Sequence, residues 1–280
     1  MLKFYFNGSP NPTKVALFLE EAELPYEPVP VDTRRGQQFD PAFIAINPNA
    51  KVPAIVDDGH VVFDSNAILL YLAEKTGKFL PENTLAARGE LLSWLMFVAT
   101  GVGPFSGQAV HFKHFAPEKV PYAQKRYLYE AERHYGILDA RLAQQRYLVG
   151  NTYTIVDMDL WAWARMIPFI FGDGAWEKFP NVKRLHDEIS ARPAAARAVA
   201  LKDRFPQNRH GRGSAHAHVQ ALGGVISVRW LRRQPRYHEL SCCLGRRPPC
   251  RRDSRERSVP TSPQVRGRRL APPMLIAALA

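Results

Sequence analysis

A change of hydrophobic period near residue 80 constrains this chain most. Before it, short apolar runs alternate with helix-period segments; after it, helix-period segments alone follow. Leu2-Lys3-Phe4-Tyr5-Phe6 reads as a strand, and residues 13–22 read as a helix with Val15, Leu17, Phe18 and Ala22 on one face. Residues 26–31 form a second strand and 40–45 a helical turn. Residues 54–57 and 61–63 flank Asp58-Gly59, a pair suited to a tight hairpin turn. Residues 65–76 close the unit as a helix with Ile68, Leu69, Leu72 and Ala73 as its stripe, giving the order β-α-β-α-β-β-α. Residues 86–101, 121–144, 155–169 and 182–190 are then helical, punctuated by Gly and Pro. The layout is α/β plus all-α: a small α/β domain over 1–80 and an all-helical domain over 85–205, without internal repeats.

Beyond residue 206 the chain changes in kind. Residues 207–280 hold 15 Arg, no Lys and three acids (Glu239, Asp253 and Glu256), so they carry the whole formal net charge of +12. Their aromatics are Trp230 and Tyr237, against 28 earlier in the chain. Such a composition buries too little to offset its ordering entropy. An Arg/Pro-rich disordered tail is expected, with an out-of-frame origin or a basic arm for nucleic acid or anionic lipid as alternative readings. Residues 1–206 balance 23 Lys+Arg against 23 Asp+Glu, so net charge does not point to nucleic acid as a partner.

All three cysteines, Cys242, Cys243 and Cys250, also lie in the tail. The first 206 residues therefore cannot use a cysteine nucleophile, a CxxC pair, a disulfide or a cysteine metal site. No apolar run approaches the roughly 20 residues that span a bilayer, and the N-terminus lacks the apolar stretch of a signal peptide. No membrane partner and a cytoplasmic setting are expected.

Three turns carry the chemistry. In Phe6-Asn7-Gly8-Ser9-Pro10-Asn11-Pro12, Asn11 reads as an N-cap with Pro12 at the first helical position. The free amides and positive dipole end there, with Ser9 Oγ and Asn11 Nδ2, suit a thiolate, although the same pattern also serves as a plain cap. In Asn49-Ala50-Lys51-Val52-Pro53-Ala54-Ile55, Pro53 opens a strand without a ladder donor. A cis Val52-Pro53 bond would offer the Val52 main chain to an extended peptide, but a single X-Pro pair does not fix its isomer. In Phe63-Asp64-Ser65-Asn66, Ser65 reads as an N-cap whose amides and hydroxyl suit a carboxylate, while Asp64 suits an ammonium group. A ligand with an amino-acid end, a peptide middle and a thiol satisfies all three.

With these turns and Thr154-Ile155-Val156-Asp157, residues 1 to about 205 resemble the cytosolic glutathione transferases. The resemblance implies a thioredoxin-like N-terminal domain, a helical C-terminal domain, a homodimer, and glutathione as co-substrate without a metal. Ser9-Pro10-Asn11, Gly36-Gln37-Gln38-Phe39 and the run from Gly101 to Gln108 with His111-Phe112 are most similar to the bacterial Nu class, whose members are glutathione-dependent disulfide-bond oxidoreductases. It implies that Ser9 and Asn11 are catalytic, holding the glutathione sulfur. Gln38 and Lys51 would take the glycyl end, Val52 and Pro53 the cysteinyl backbone, and Asp64 with Ser65 the γ-glutamyl end. Arg133 would reach the glutathione of the neighbouring subunit. Phe105, Gln108, His111 and Phe112 would line the pocket for a small disulfide or electrophilic substrate. The class more often has Thr at the place of Ser9 and Glu at that of Asp64.

Without a thiol in residues 1–206, disulfide exchange must take both sulfurs from glutathione or glutathione disulfide. Disulfide reduction is expected with weak transferase or peroxidase activity alongside; conjugation to an electrophile by the same thiolate is the alternative, and a non-catalytic adaptor on the same fold is the rival from another class. Thr154 and Asp157 read as a structural capping box. His111 and His114 lack a third ligand nearby for a metal. Trp161, Trp163, Phe169 and Trp176 read as core.

Overall fold

The computed structural model describes residues 1–205, and the expected tail at 207–280 lies outside them. Strand β1 (Leu2–Phe6) alternates as its sequence does, burying Leu2, Phe4 and Phe6. It pairs in parallel with β2 (Tyr26–Pro30) and antiparallel with β3 (Ala54–Asp57), which turns through Asp58 and Gly59 into β4 (His60–Phe63). The sheet order β2-β1-β3-β4 is a mixed, thioredoxin-like sheet. The parallel β1–β2 pair needs a crossover, which α1 (Pro10–Ala22) supplies. A short α2 (Pro41–Ile44) precedes β3, and α3 (Ser65–Thr76) follows β4 with Ile68, Leu69, Leu72 and Ala73 fully buried.

The helical part comprises α4 (Leu85–Phe97), α5 (Gly103–Val110), α6 (Pro121–Leu142), α7 (Ile155–Ala164), α8 (Ile167–Phe171), α9 (Ala175–Lys178), α10 (Pro180–Ser190) and α11 (Pro193–Ala200). The expected helix at 155–169 breaks after Ala164 and resumes as α8, whose second residue is Pro168. Helix α7 packs against α1, α3 and α4, and α11 packs against α1, so one continuous apolar core joins the two parts. The expected capping box is present: Thr154 Oγ1 accepts from Val156 N at 3.3 Å, and Asp157 Oδ2 accepts from Thr154 N at 2.8 Å.

Helices α4 and α5 form one 31-residue helix, Leu85–Phe115, with π-helical turns at Val98–Val102 and His111–Phe115. By length and composition it is apolar enough to cross a membrane, yet Leu91, Leu95, Val98 and Val102 are all fully buried in the core. The first π turn brings Gly101 against the His134 ring, where an added Cβ would come within 2.3 Å. Gly103 likewise faces the Trp163 indole, where an added Cβ would stand 3.2 Å from Nε1. The glycines of the 101–107 run are therefore where two rings of α6 and α7 seat themselves.

Candidate active site

Helix α1 begins earlier than its apolar pattern indicates. Ser9 is the N-cap and Pro10 the first helical residue, correcting the expectation of Asn11 as cap. Proline at the first and third positions costs nothing, because those amides have no intrahelical acceptor. It also removes two donors. Ser9 N donates to Asn7 Oδ1 at 3.0 Å, and Thr13 N returns to Ser9 O at 3.2 Å. Among the described residues the main-chain donor left free in the first turn is therefore Asn11 N–H, where several free amides were expected.

Ser9 carries no side-chain cap bond; its hydroxyl donates to Asn7 Oδ1 at 2.6 Å, and Asn7 Nδ2 donates to Thr33 Oγ1 at 3.0 Å. Asn11 Oδ1 accepts from Trp163 Nε1 at 3.1 Å. An indole N–H only donates, so this contact fixes the carboxamide with Nδ2 on the edge turned away from the indole. Asn11 thus presents two donor nitrogens, its main-chain N and Nδ2, at the positive end of α1.

The second turn holds Val52–Pro53 as a cis peptide. Asn47, 2% exposed, braces it: Nδ2 donates to Lys51 O at 2.7 Å and Oδ1 accepts from Asn49 N at 3.0 Å. Lys51 is exposed and Val52 half-buried, while Pro53 is buried. Gln38 lies in the 3-10 turn Gln37–Phe39, 3% exposed, with Oε1 lacking a hydrogen-bond partner among the described residues.

At the third turn, Asp64 is the N-cap and Ser65 the first helical residue, a second one-residue correction. Asp64 Oδ1 accepts from Asn66 N at 2.9 Å and Ala67 N at 3.1 Å. Its backbone sits at φ 70°, ψ 126°, outside the ordinary regions for a residue with a Cβ. Such outliers concentrate at ligand clamps. Asp64 is exposed, whereas Ser65 is 5% exposed.

Beneath the first and third turns lies a buried polar link. Lys14 Nζ donates to Asn66 Oδ1 at 3.0 Å and to Asp159 Oδ1 at 2.6 Å. Burial raises the Asp159 carboxyl above its usual range against the opposing pull of the Lys14 ammonium. Asp159 and Trp163, four residues apart on α7, share a helix face and grip Lys14 and Asn11, three residues apart on α1. The sequence signal for the link was a Lys and an Asp inside helical stretches otherwise apolar on that face.

Of the residues expected around a second substrate, Phe105 and Phe112 meet over Tyr127 of α6, with ring centroids 6.4 and 5.3 Å from it. His111 stands edge-on to Phe112 at 5.1 Å, and Gln108 is exposed on α5. His134, which sequence reasoning passed over, packs against both Phe97 and Phe105. Arg133 Nε donates to Glu130 Oε2 at 2.9 Å, and Arg126 reaches Glu130 Oε1 at 2.7 Å, so both arginines flank one carboxylate. His114 is stacked on Phe169 at 4.2 Å. Among the described residues no group of three or more His, Cys, Asp or Glu is placed to hold a metal ion.

Residues 1–74 match the family model "Glutathione S-transferase, N-terminal domain", and residues 103–193 match "Glutathione S-transferase, C-terminal domain". The chain belongs to the glutathione S-transferase family. This transferase is 43% identical over 213 residues to the disulfide-bond oxidoreductase YfcG of Escherichia coli, a match covering 71% of this chain and 94% of the relative. It is 38% identical over 215 residues to YghU, also a disulfide-bond oxidoreductase of that organism, covering 70% and 73%. Among solved structures it resembles a Pseudomonas fluorescens glutathione transferase family member with two glutathiones bound (37% identity, TM-score 0.67, 71% and 92% covered). It also resembles a Pseudomonas putida glutathione transferase with one glutathione disulfide bound per subunit (33% identity, TM-score 0.66, 71% and 91% covered). It is an enzyme of the glutathione transferase superfamily.

Proposed function

We propose that this transferase reduces small disulfides with glutathione in the manner of the Nu class, activating the thiol at Asn11 and Ser9. The observation that carries the reading is a helix end where two donor nitrogens of Asn11, main-chain N and Nδ2, have no acceptor among the described residues, on a stretch of chain without cysteine. The N–H groups and the α1 dipole favour the charged sulfur and lower the thiol pKa. Ser9 adds its hydroxyl once that proton turns from Asn7 to the sulfur.

Glutathione lies extended across the three turns. Its cysteinyl backbone pairs with the Val52 main chain beside Pro53, and its γ-glutamyl ammonium meets the Asp64 carboxylate, with the carboxylate on Ser65. Lys51 and Gln38 take the glycyl end; the Gln38 oxygen, without a partner among the described residues, gains from the glycyl amide N–H, since a buried acceptor left unpaired costs about 1–3 kcal/mol. The thiolate attacks one sulfur of a disulfide, the S–S bond breaks, and the departing thiolate takes up a proton. A second glutathione thiolate attacks the mixed disulfide, expelling the other thiol and leaving glutathione disulfide. Two glutathiones are oxidised for each disulfide reduced, and the protein supplies no electrons.

Phe105, Phe112 and His111 around Tyr127 line the second-substrate side, with Gln108 beside them, and Arg133 serves the partner's site in a homodimer. A cytoplasmic glutathione pool provides the reductant. Disulfide reduction is favoured over conjugation by the likeness to two disulfide-bond oxidoreductases. Rates with a small dialkyl disulfide and an aryl halide, measured on one preparation, test the choice. Faster turnover of the disulfide is expected; faster conjugation of the halide would overturn it.

A further inference from the structure

We propose that Trp163 is a positioning residue for the reaction: its indole N–H orients the Asn11 carboxamide so that nitrogen, and not oxygen, faces the glutathione sulfur. The inference rests on the role given to Asn11 above. Without a fixed partner, a half-buried asparagine amide has two orientations of similar energy, and only one of them is useful here. With Nδ2 forward it donates to a thiolate; with Oδ1 forward it repels one. Trp163 Nε1 lies 3.1 Å from Asn11 Oδ1, and because an indole can only donate, the reversed amide would set two N–H groups against each other.

The indole is itself seated. Gly103 and Gly107 of α5 lie along it, where an added Cβ would stand 3.2 Å from Nε1 at Gly103 and 3.8 Å from the far ring edge at Gly107. Tyr135 OH donates to the Trp163 carbonyl at 3.1 Å, holding the end of α7. One turn deeper on the same two helices, Lys14 and Asp159 are paired at 2.6 Å, so α1 cannot shift along α7 without breaking a buried ion pair. Gly103 thus has a catalytic consequence: without a side chain there, α5 leaves the slot that puts a donor behind Asn11.

The test is a pH titration of the ultraviolet absorbance of enzyme-bound glutathione thiolate, with kcat and KM for a small disulfide, on the full chain. Trp163→Phe keeps the ring in the slot and removes the N–H. It is expected to raise the bound-thiol pKa by about one unit and lower kcat at neutral pH about tenfold, with little change in KM for glutathione. Asn11→Asp keeps the bond from Trp163 and turns a carboxylate oxygen toward the sulfur, so its thiol pKa is expected above that of Asn11→Ala. Asn11→Ala raising the thiol pKa while Trp163→Phe leaves it at the wild-type value would overturn the inference. If Trp163→Phe does not fold, Asn11→Asp decides, and a thiol pKa no higher than that of Asn11→Ala overturns it. An unchanged thiol pKa in Asn11→Ala would instead remove the role of Asn11 in activation, and this inference with it.

Discussion

Lys14 Nζ stands 2.6 Å from Asp159 Oδ1, with the two side chains 1% and 0% exposed. The pair joins α1 of the thioredoxin-like domain to α7 of the helical domain, and Asn66 Oδ1 brings the start of α3 into the same link. Both helix ends that face glutathione in the proposed function are therefore tied to a single strut.

Breaking that pair from one side leaves an uncompensated buried charge. Asp159→Ala is expected to destabilise by about 3–5 kcal/mol, whereas Lys14→Met with Asp159→Leu should cost much less than the single change. Urea midpoints of the three proteins check this, and a single change as mild as the double would contradict it.

Asn11→Ala removes one of the two donors from the helix end without disturbing a core position. Disulfide reduction is expected to fall about tenfold or more, as when one donor to a developing anion is deleted. The thermal midpoint should fall only by what the unpaired Trp163 N–H costs, about 1 kcal/mol at a part-buried site. Equal activity would show that the sulfur lies elsewhere.

Asp64 caps α3 and, in the proposed function, meets the glutathione ammonium; substitution can separate the two. Asparagine caps helices as well as aspartate does and tolerates positive φ, so Asp64→Asn should keep stability. Losing the charge should weaken glutathione binding about tenfold, the worth of a charge-assisted bond. Asp64→Ala should weaken binding similarly and cost about 1 kcal/mol of stability through the lost cap. Calorimetry and thermal melts separate the two effects.

Acid stability involves Asp57. Burial raises its carboxyl, but bonds from Lys75 and from Tyr71 OH, the latter at 2.8 Å, outweigh burial and hold it below the usual range. A depressed folded pKa gives stability that is fully present above the unfolded value near 4 and is lost as pH falls through the folded pKa. The urea-midpoint gap between wild type and Asp57→Asn should thus be constant above about pH 5 and shrink below pH 4. A gap independent of pH would contradict this.

The sheet and α3 were legible because period-2 strands, the Asp58-Gly59 hairpin turn and the Ile68-Leu69-Leu72-Ala73 stripe are local signals. The helix starts slipped by one or two residues, since Ser9 and Asn11, or Asp64 and Ser65, are equally good caps by residue type; backbone geometry chooses between them. Helix α5 was hidden by its two glycines and Pro104, poor helix formers, although Gly103 is the residue that lets α5 pack against Trp163. Trp163 read as core because its ring is apolar, and no local pattern says where an indole N–H points. The Lys14–Asp159 pair spans 145 residues, a separation at which sequence pattern shows only that each charge sits on a buried face.

The most direct test of the account is calorimetric binding of reduced glutathione and glutathione disulfide to the full chain, with turnover of a small dialkyl disulfide followed on the same sample. Saturable binding of both is expected, with release of two thiols for each glutathione disulfide formed. Absence of binding, or binding without turnover, would contradict it and favour a non-catalytic role for this fold.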